Sequence, residues 1–102
     1  MKAAFIDRDG VINKEVGYLH KVEEFEYTFK CIEGLRSLIK HGYDLFIVTN
    51  QAGIAKGLYT IDDYNNLMNW MISDLVKYGI TFTDIFFCPH HPDGVVKKYS
   101  IN

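Results

Sequence analysis

The sequence predicts an α/β protein built on a parallel three-stranded sheet with flanking helices. Three observations carry that expectation. Short apolar runs recur at residues 3–6 (AAFI), 43–48 (YDLFIV) and 85–87 (IFF). Stretches of helical periodicity separate them. Each run also ends in polar residues with chemistry to offer. Strand, helix, strand, helix, strand makes two βαβ units, so the sheet is parallel and its crossovers are right-handed.

The first run is short and continuously apolar, as in a strand covered on both faces. Residues 11–30 (VINKEVGYLHKVEEFEYTFK) lack helical periodicity. Gly17 and the alternation of Phe25, Tyr27 and Phe29 predict a flap or small hairpin there. Ile32, Leu35, Leu38 and Ile39 then share one helical face, and Gly42 stands where a left-handed cap ends a helix. The second strand finishes at Thr49 and Asn50. The segment QAGIAKGLYT reads as a glycine-containing loop. Thr60 caps the next helix, with Asp63 three residues on as a weaker capping box. Tyr64, Leu67, Met68, Met71, Ile72 and Leu75 give that helix its apolar face, and Gly79 ends it. The third strand closes at Cys88-Pro89.

The 102 residues fit one small domain, with 48% hydrophobic and 24% charged residues. A formal net charge of −2 and the lack of a basic run argue against nucleic acid or an anionic membrane as partner. Only four apolar residues precede Asp7, too few for the core of a signal peptide. No stretch approaches the roughly 20 apolar residues of a spanning helix. Two cysteines, Cys31 and Cys88, make no disulfide framework. A reduced, cytoplasmic protein is the expectation.

In parallel α/β sheets the ligand site lies beyond the carboxyl ends of the strands. Here those ends are Asp7-Arg8-Asp9-Gly10, Thr49-Asn50-Gln51 and Cys88-Pro89-His90-His91. A carboxylate at a strand end with a second acid two residues on suits phosphoryl transfer. Asp7 is the candidate nucleophile, dividing one hard hydrolysis into two steps. Its anionic oxygen must meet an anionic phosphate, which calls for a hard divalent cation such as Mg²⁺. Asp9 is the candidate acid and base. The Thr49 hydroxyl and the Asn50 backbone N–H are candidate phosphate donors. Other residues carry plainer expectations: Cys31 packed at a helix start, His41 favourable at a helix C-terminus, and His20 in the flap, solvent-exposed. Trp70 and the helix methionines belong to a core or interface.

FIDRDGVIN, VTNQAGIAKG and FFCPHHPDG, in this order and spacing, resemble the haloacid dehalogenase superfamily of phosphatases. The resemblance is narrowest with the branch that holds histidinol-phosphatases and heptose-bisphosphate phosphatases. It extends over nearly the whole chain, including GYLHKVEEFEY in the flap. It implies a Rossmann-like fold, Asp7 as nucleophile and Mg²⁺ ligand, and Asp9 as acid/base whose backbone carbonyl also touches the metal. Thr49 and Asn50 match the second phosphate-binding motif. Gln51 and Lys56 fall in the loop on the substrate's side. Cys88 and His90 match two ligands of a structural zinc.

The family pattern continues with a C-x-C pair, an Arg-Lys-Pro segment and a Gly-Asp stretch that are not found before Asn102. The resemblance thus implies an incomplete domain, with half a zinc site and no matching phosphate lysine; Lys97 and Lys98 read as exposed tail residues. In the family's sheet the first strand is central. Here it is expected to be an exposed apolar edge: either the chain is a fragment, or a second copy or a complementing chain supplies the cover. The leading expectation is a Mg²⁺-dependent phosphomonoesterase for a small phosphorylated sugar or histidinol phosphate. The alternative is an impaired remnant that binds phosphate or metal, or serves assembly. A receiver-type phosphoacceptor is disfavoured, because there the paired acids and the phosphoacceptor sit on different strand ends.

Overall fold

A computed structural model describes residues 2–90. Its sheet consists of β1 (Lys2–Ile6), β2 (Tyr43–Asn50) and β3 (Asp84–Cys88), in the spatial order β1-β2-β3. Both pairings are parallel: Ile6 lies opposite Ile47, and Asn50 opposite Cys88. Between the strands lie α1 (Cys31–Lys40), a short α2 (Ala52–Ala55) and α3 (Ile61–Val76). The expected α/β architecture and all three strands are present.

Two successive right-handed crossovers in one direction put α1 and α3 on the same side of the sheet. Their apolar residues accordingly meet in one core. Leu35 of α1 and Met68, Met71 and Leu75 of α3 cluster with Leu45 and Ile47 of β2. Burying side chains of this size stabilises by about 1.5–3 kcal/mol each relative to exposure. Gly42 (φ +86°) ends α1 in the left-handed region, as its position predicted. At the start of α3 the Thr60 hydroxyl accepts from the Asp63 backbone N–H at 3.1 Å. The Asp63 carboxylate accepts from the Thr60 N–H at 2.9 Å, so the capping box is complete.

Among the described residues nothing packs on the other sheet face, so there the expectation of a strand covered on both faces is not met. Phe5 is 68% exposed, Val48 43% and Phe86 50%. The rings form a row across the three strands: Phe5 stacks on Phe46 at 5.2 Å, and Phe46 faces Phe86 at 6.5 Å. Alternation explains it. Residues facing α1 and α3 are largely apolar and buried, whereas Phe5, Phe46, Val48 and Phe86 face away beside Asp44 and Asp84, with no described element over them. Strand β1 is an edge, as expected for this stretch of chain.

Residues 11–30 form a flap rather than a hairpin of two strands. Its base is pinned by the Lys14 N–H to the Glu26 carbonyl (2.8 Å) and the Thr28 N–H to the Ile12 carbonyl (3.0 Å). Isolated bridges join Asn13 to Asp9 and to Tyr27. A 3₁₀ turn at Val22–Glu24 replaces the second strand. The segment expected as a loop after Gln51 is instead the single turn α2, because Gly53, Ile54 and Ala55 are buried. Among the described residues no helix is long and apolar enough to cross a membrane.

Candidate active site

The turn that follows β1 sets the site. The Arg8 carbonyl accepts backbone N–H groups from Val11, Ile12 and Asn13, and Gly10 (φ +86°) allows the reversal. Asp7, directly after β1, and Asp9, within the turn, thus come to the same cleft as the end of β2. They line a cleft of about 570 Å³ with Glu15, Tyr18, Leu19, Thr49, Asn50, Gln51 and Tyr59. The first two strand ends therefore converge as expected.

The two acids live in different surroundings. Asp7 is exposed, and among the described residues no side chain hydrogen-bonds to it. Asp9 is held from several directions. Its Oδ1 accepts from Arg8 (2.7 Å to the terminal nitrogen, 3.3 Å to Nε) and from Asn13 Nδ2 (3.0 Å). Its Oδ2 accepts from Gln51 Nε2 at 3.2 Å. Asn13 is fully buried and leaves its own Oδ1 without a partner, so its amide is oriented by Asp9 and the Lys14 carbonyl. An unmet buried acceptor costs about 1–3 kcal/mol.

Gln51, expected in the loop on the substrate's side, lines the cleft but is only 2% exposed, with its amide engaged by neighbouring side chains. Its nitrogen donates to Asp9 and to Thr49 Oγ1 (2.8 Å), and its oxygen accepts from the Tyr59 hydroxyl. Burial pushes the Tyr59 hydroxyl up to about 12, with nearby Asp9 adding to the effect against the opposing charge of Arg8. Lys56 meets the wall of the cleft at Tyr18. Its Nζ donates to the Tyr18 hydroxyl at 2.8 Å and lies 5.2 Å from that ring's centre. His20, expected in solvent, stacks on Tyr59 at 5.0 Å. Arg8, Tyr18 and Tyr59 escape a motif reading because they meet Met68, Lys56 and His20, far along the chain; Glu15 enters only as part of the cleft wall.

Asp7 offers an unengaged hard oxygen donor beside Asp9, which fits Mg²⁺. That ion binds through one or two carboxylates and keeps several waters. Among the described residues no group of three His, Cys, Asp or Glu comes together, so Cys88 and His90 have no third zinc ligand there. His91, Lys97 and Lys98 lie outside the described residues.

No family model matches the chain. A D-glycero-α-D-manno-heptose-1,7-bisphosphate 7-phosphatase of Photorhabdus laumondii is 56% identical over 100 residues, covering 98% of this chain and 55% of that protein. The D-glycero-β-D-manno-heptose-1,7-bisphosphate 7-phosphatase of Escherichia coli K12 is 41% identical, over 95% of this chain and 51% of that one. Among solved structures, a D,D-heptose 1,7-bisphosphate phosphatase from B. bronchiseptica, complexed with magnesium and phosphate, superposes with a TM-score of 0.82. It is 31% identical over 91% of this chain and 52% of that chain. A HAD-like phosphatase from Mesorhizobium loti gives a TM-score of 0.90 at 26% identity, over 99% of this chain and 48% of that one. The chain spans about half the length of the curated relatives it matches. Sequence similarity and fold agree, and the chain belongs to the haloacid dehalogenase superfamily of phosphatases.

Proposed function

We propose that the protein is a Mg²⁺-dependent phosphomonoesterase for a small phosphorylated sugar, with a heptose 1,7-bisphosphate as its substrate. The contrast between the two carboxylates carries this reading: Asp7 is unengaged at the cleft, while Asp9 is fixed by Arg8, Asn13 and Gln51. The names of the relatives support the sugar bisphosphate over histidinol phosphate.

An Asp7 oxygen forms a bond to phosphorus as the ester O–P bond breaks, and Asp9 gives its proton to the departing alkoxide. Water then attacks phosphorus, Asp9 takes back a proton, and Asp7 is released. Thr49 and the Asn50 backbone hold phosphate oxygens through both steps. When bound at Asp7 and Asp9, Mg²⁺ supplies positive charge that offsets repulsion between carboxylate and phosphate.

The test is phosphate release from the heptose 1,7-bisphosphate with and without Mg²⁺. Turnover that needs the ion and disappears in Asp7→Asn is expected. A folded, Mg²⁺-loaded protein without turnover leaves a phosphate-binding or assembly module instead.

A further inference from the structure

Gln51 makes three hydrogen bonds that cannot be rearranged singly. Its oxygen is occupied by the Tyr59 hydroxyl, so its amide group has one orientation. Both N–H bonds then point at acceptors, Asp9 Oδ2 (3.2 Å) and Thr49 Oγ1 (2.8 Å). Two consequences follow from the donor and acceptor inventory. Because Thr49 Oγ1 accepts from Gln51, its own proton is free to donate elsewhere, and the cleft lies beside it. Because Asp9 Oδ1 already takes bonds from Arg8 and Asn13, Oδ2 is the less occupied oxygen, and the Gln51 nitrogen joins it to Thr49 Oγ1.

We infer that Gln51 and Tyr59 are positioning residues: together they aim Asp9 Oδ2 at the leaving group and turn the Thr49 proton toward phosphate. The inference rests on the phosphomonoesterase reading above and assigns a role that the motif alone does not contain. Tyr59 extends the arrangement into the flap, since its ring stacks on His20 at 5.0 Å and is 6% exposed. Flap position and aim of the acid are thereby linked through one phenol.

The distinguishing experiment compares two phosphate monoesters. A 4-nitrophenolate leaves without needing a proton, whereas a sugar alkoxide needs one from Asp9. The ratio kcat/KM reports the steps through cleavage of the ester bond. In Gln51→Met, kcat/KM for the sugar ester is expected to fall at least tenfold more than for 4-nitrophenyl phosphate. Tyr59→Phe, which keeps the ring packing, is expected to show the same preference at about threefold. It carries the test by itself if circular dichroism shows Gln51→Met to be unfolded. Equal losses for the two esters in Tyr59→Phe overturn the inference and leave the phosphatase reading standing. Turnover absent from the unaltered protein, or surviving Asp7→Asn, overturns that reading and this inference with it.

Discussion

Arg8 and Asp9 are consecutive in the chain, yet their side chains close on each other at 2.7 Å. The same Arg8 nitrogen also donates to the Leu19 carbonyl of the flap at 3.3 Å. The arginine is 1% exposed and lies 3.8 Å from Met68 Sδ in α3. One buried cation thus ties the acid, the flap and the helix behind the sheet.

Replacing that cation gives the first prediction. Arg8→Met keeps the packing volume but strips Asp9 Oδ1 and the Leu19 carbonyl of a donor. Asp9 is 22% exposed, so water recovers part of the loss. Destabilisation of about 1–3 kcal/mol is expected in urea unfolding. Amide exchange in the flap around Leu19 should accelerate more than in β2, where the ladder is untouched.

Gly53 is the second test point. A Cβ built there falls 2.3 Å from Tyr59 Cε1 and 2.9 Å from Tyr18 Cδ1, so both rings must shift. Gly53→Ala is expected to cost about 1–3 kcal/mol by overpacking. Because Tyr59 then leaves Gln51, catalysis should fall by more than the loss of folded protein explains. Equal loss of both, read by calorimetry beside kcat/KM, excludes this account.

The cap of α3 provides a pH-dependent test. The Thr60 backbone N–H holds the Asp63 carboxyl below its ordinary value. A depressed folded-state value means that the stabilisation is present near neutrality and is lost as pH falls below about 4. Thr60→Ala should cost about 1 kcal/mol at pH 7. The gap between wild type and Asp63→Ala, which removes the carboxylate that the Thr60 N–H holds, should narrow at pH 3, measured by thermal unfolding at both pH values.

Alkali gives the opposite sign. Burial foremost pushes Tyr59 and Tyr64 up to about 12, so the folded protein keeps these protons after the unfolded chain has lost them. Stability should therefore decline between pH 10 and 12. Tyr59→Phe should flatten that decline, as read by urea midpoints.

Phe5 tests the bare face. At 68% exposure it contributes little to the core, so Phe5→Ser should change stability by no more than about 0.5 kcal/mol. The same change should weaken self-association in sedimentation velocity and lower binding of a hydrophobic dye.

Much of this was legible in the chain. The strands ending at Asp7 and Asn50, the face of α3 and the Thr60–Asp63 box depend on local spacing, which sequence records directly. Arg8, Gln51 and Tyr59 were harder to read because their meaning lies in distant partners. Arg8 is buried through Leu19 and Met68, 11 and 60 residues away, and Gln51 meets Asp9 across 42 residues. A glutamine after Thr-Asn reads as a polar loop residue until the fold presents an acid to it. The uncovered sheet face had the same origin. An apolar run shows that a strand prefers burial on both sides, but not whether anything lies over the second one.

The pinned base of the flap separates two tasks. Lys14–Glu26 and Ile12–Thr28 fasten the segment to the turn after β1, so the sheet does not register the length of chain between them. Doubling such a loop costs only about 0.6 kcal/mol in closure entropy. Insertions or deletions between Lys21 and Phe25, which spare the Leu19 and His20 contacts, can therefore reshape the flap beside the mouth of the cleft while Asp7 and Thr49 keep their places. Divergence of substrate preference among proteins of this design has an inexpensive route through that one segment.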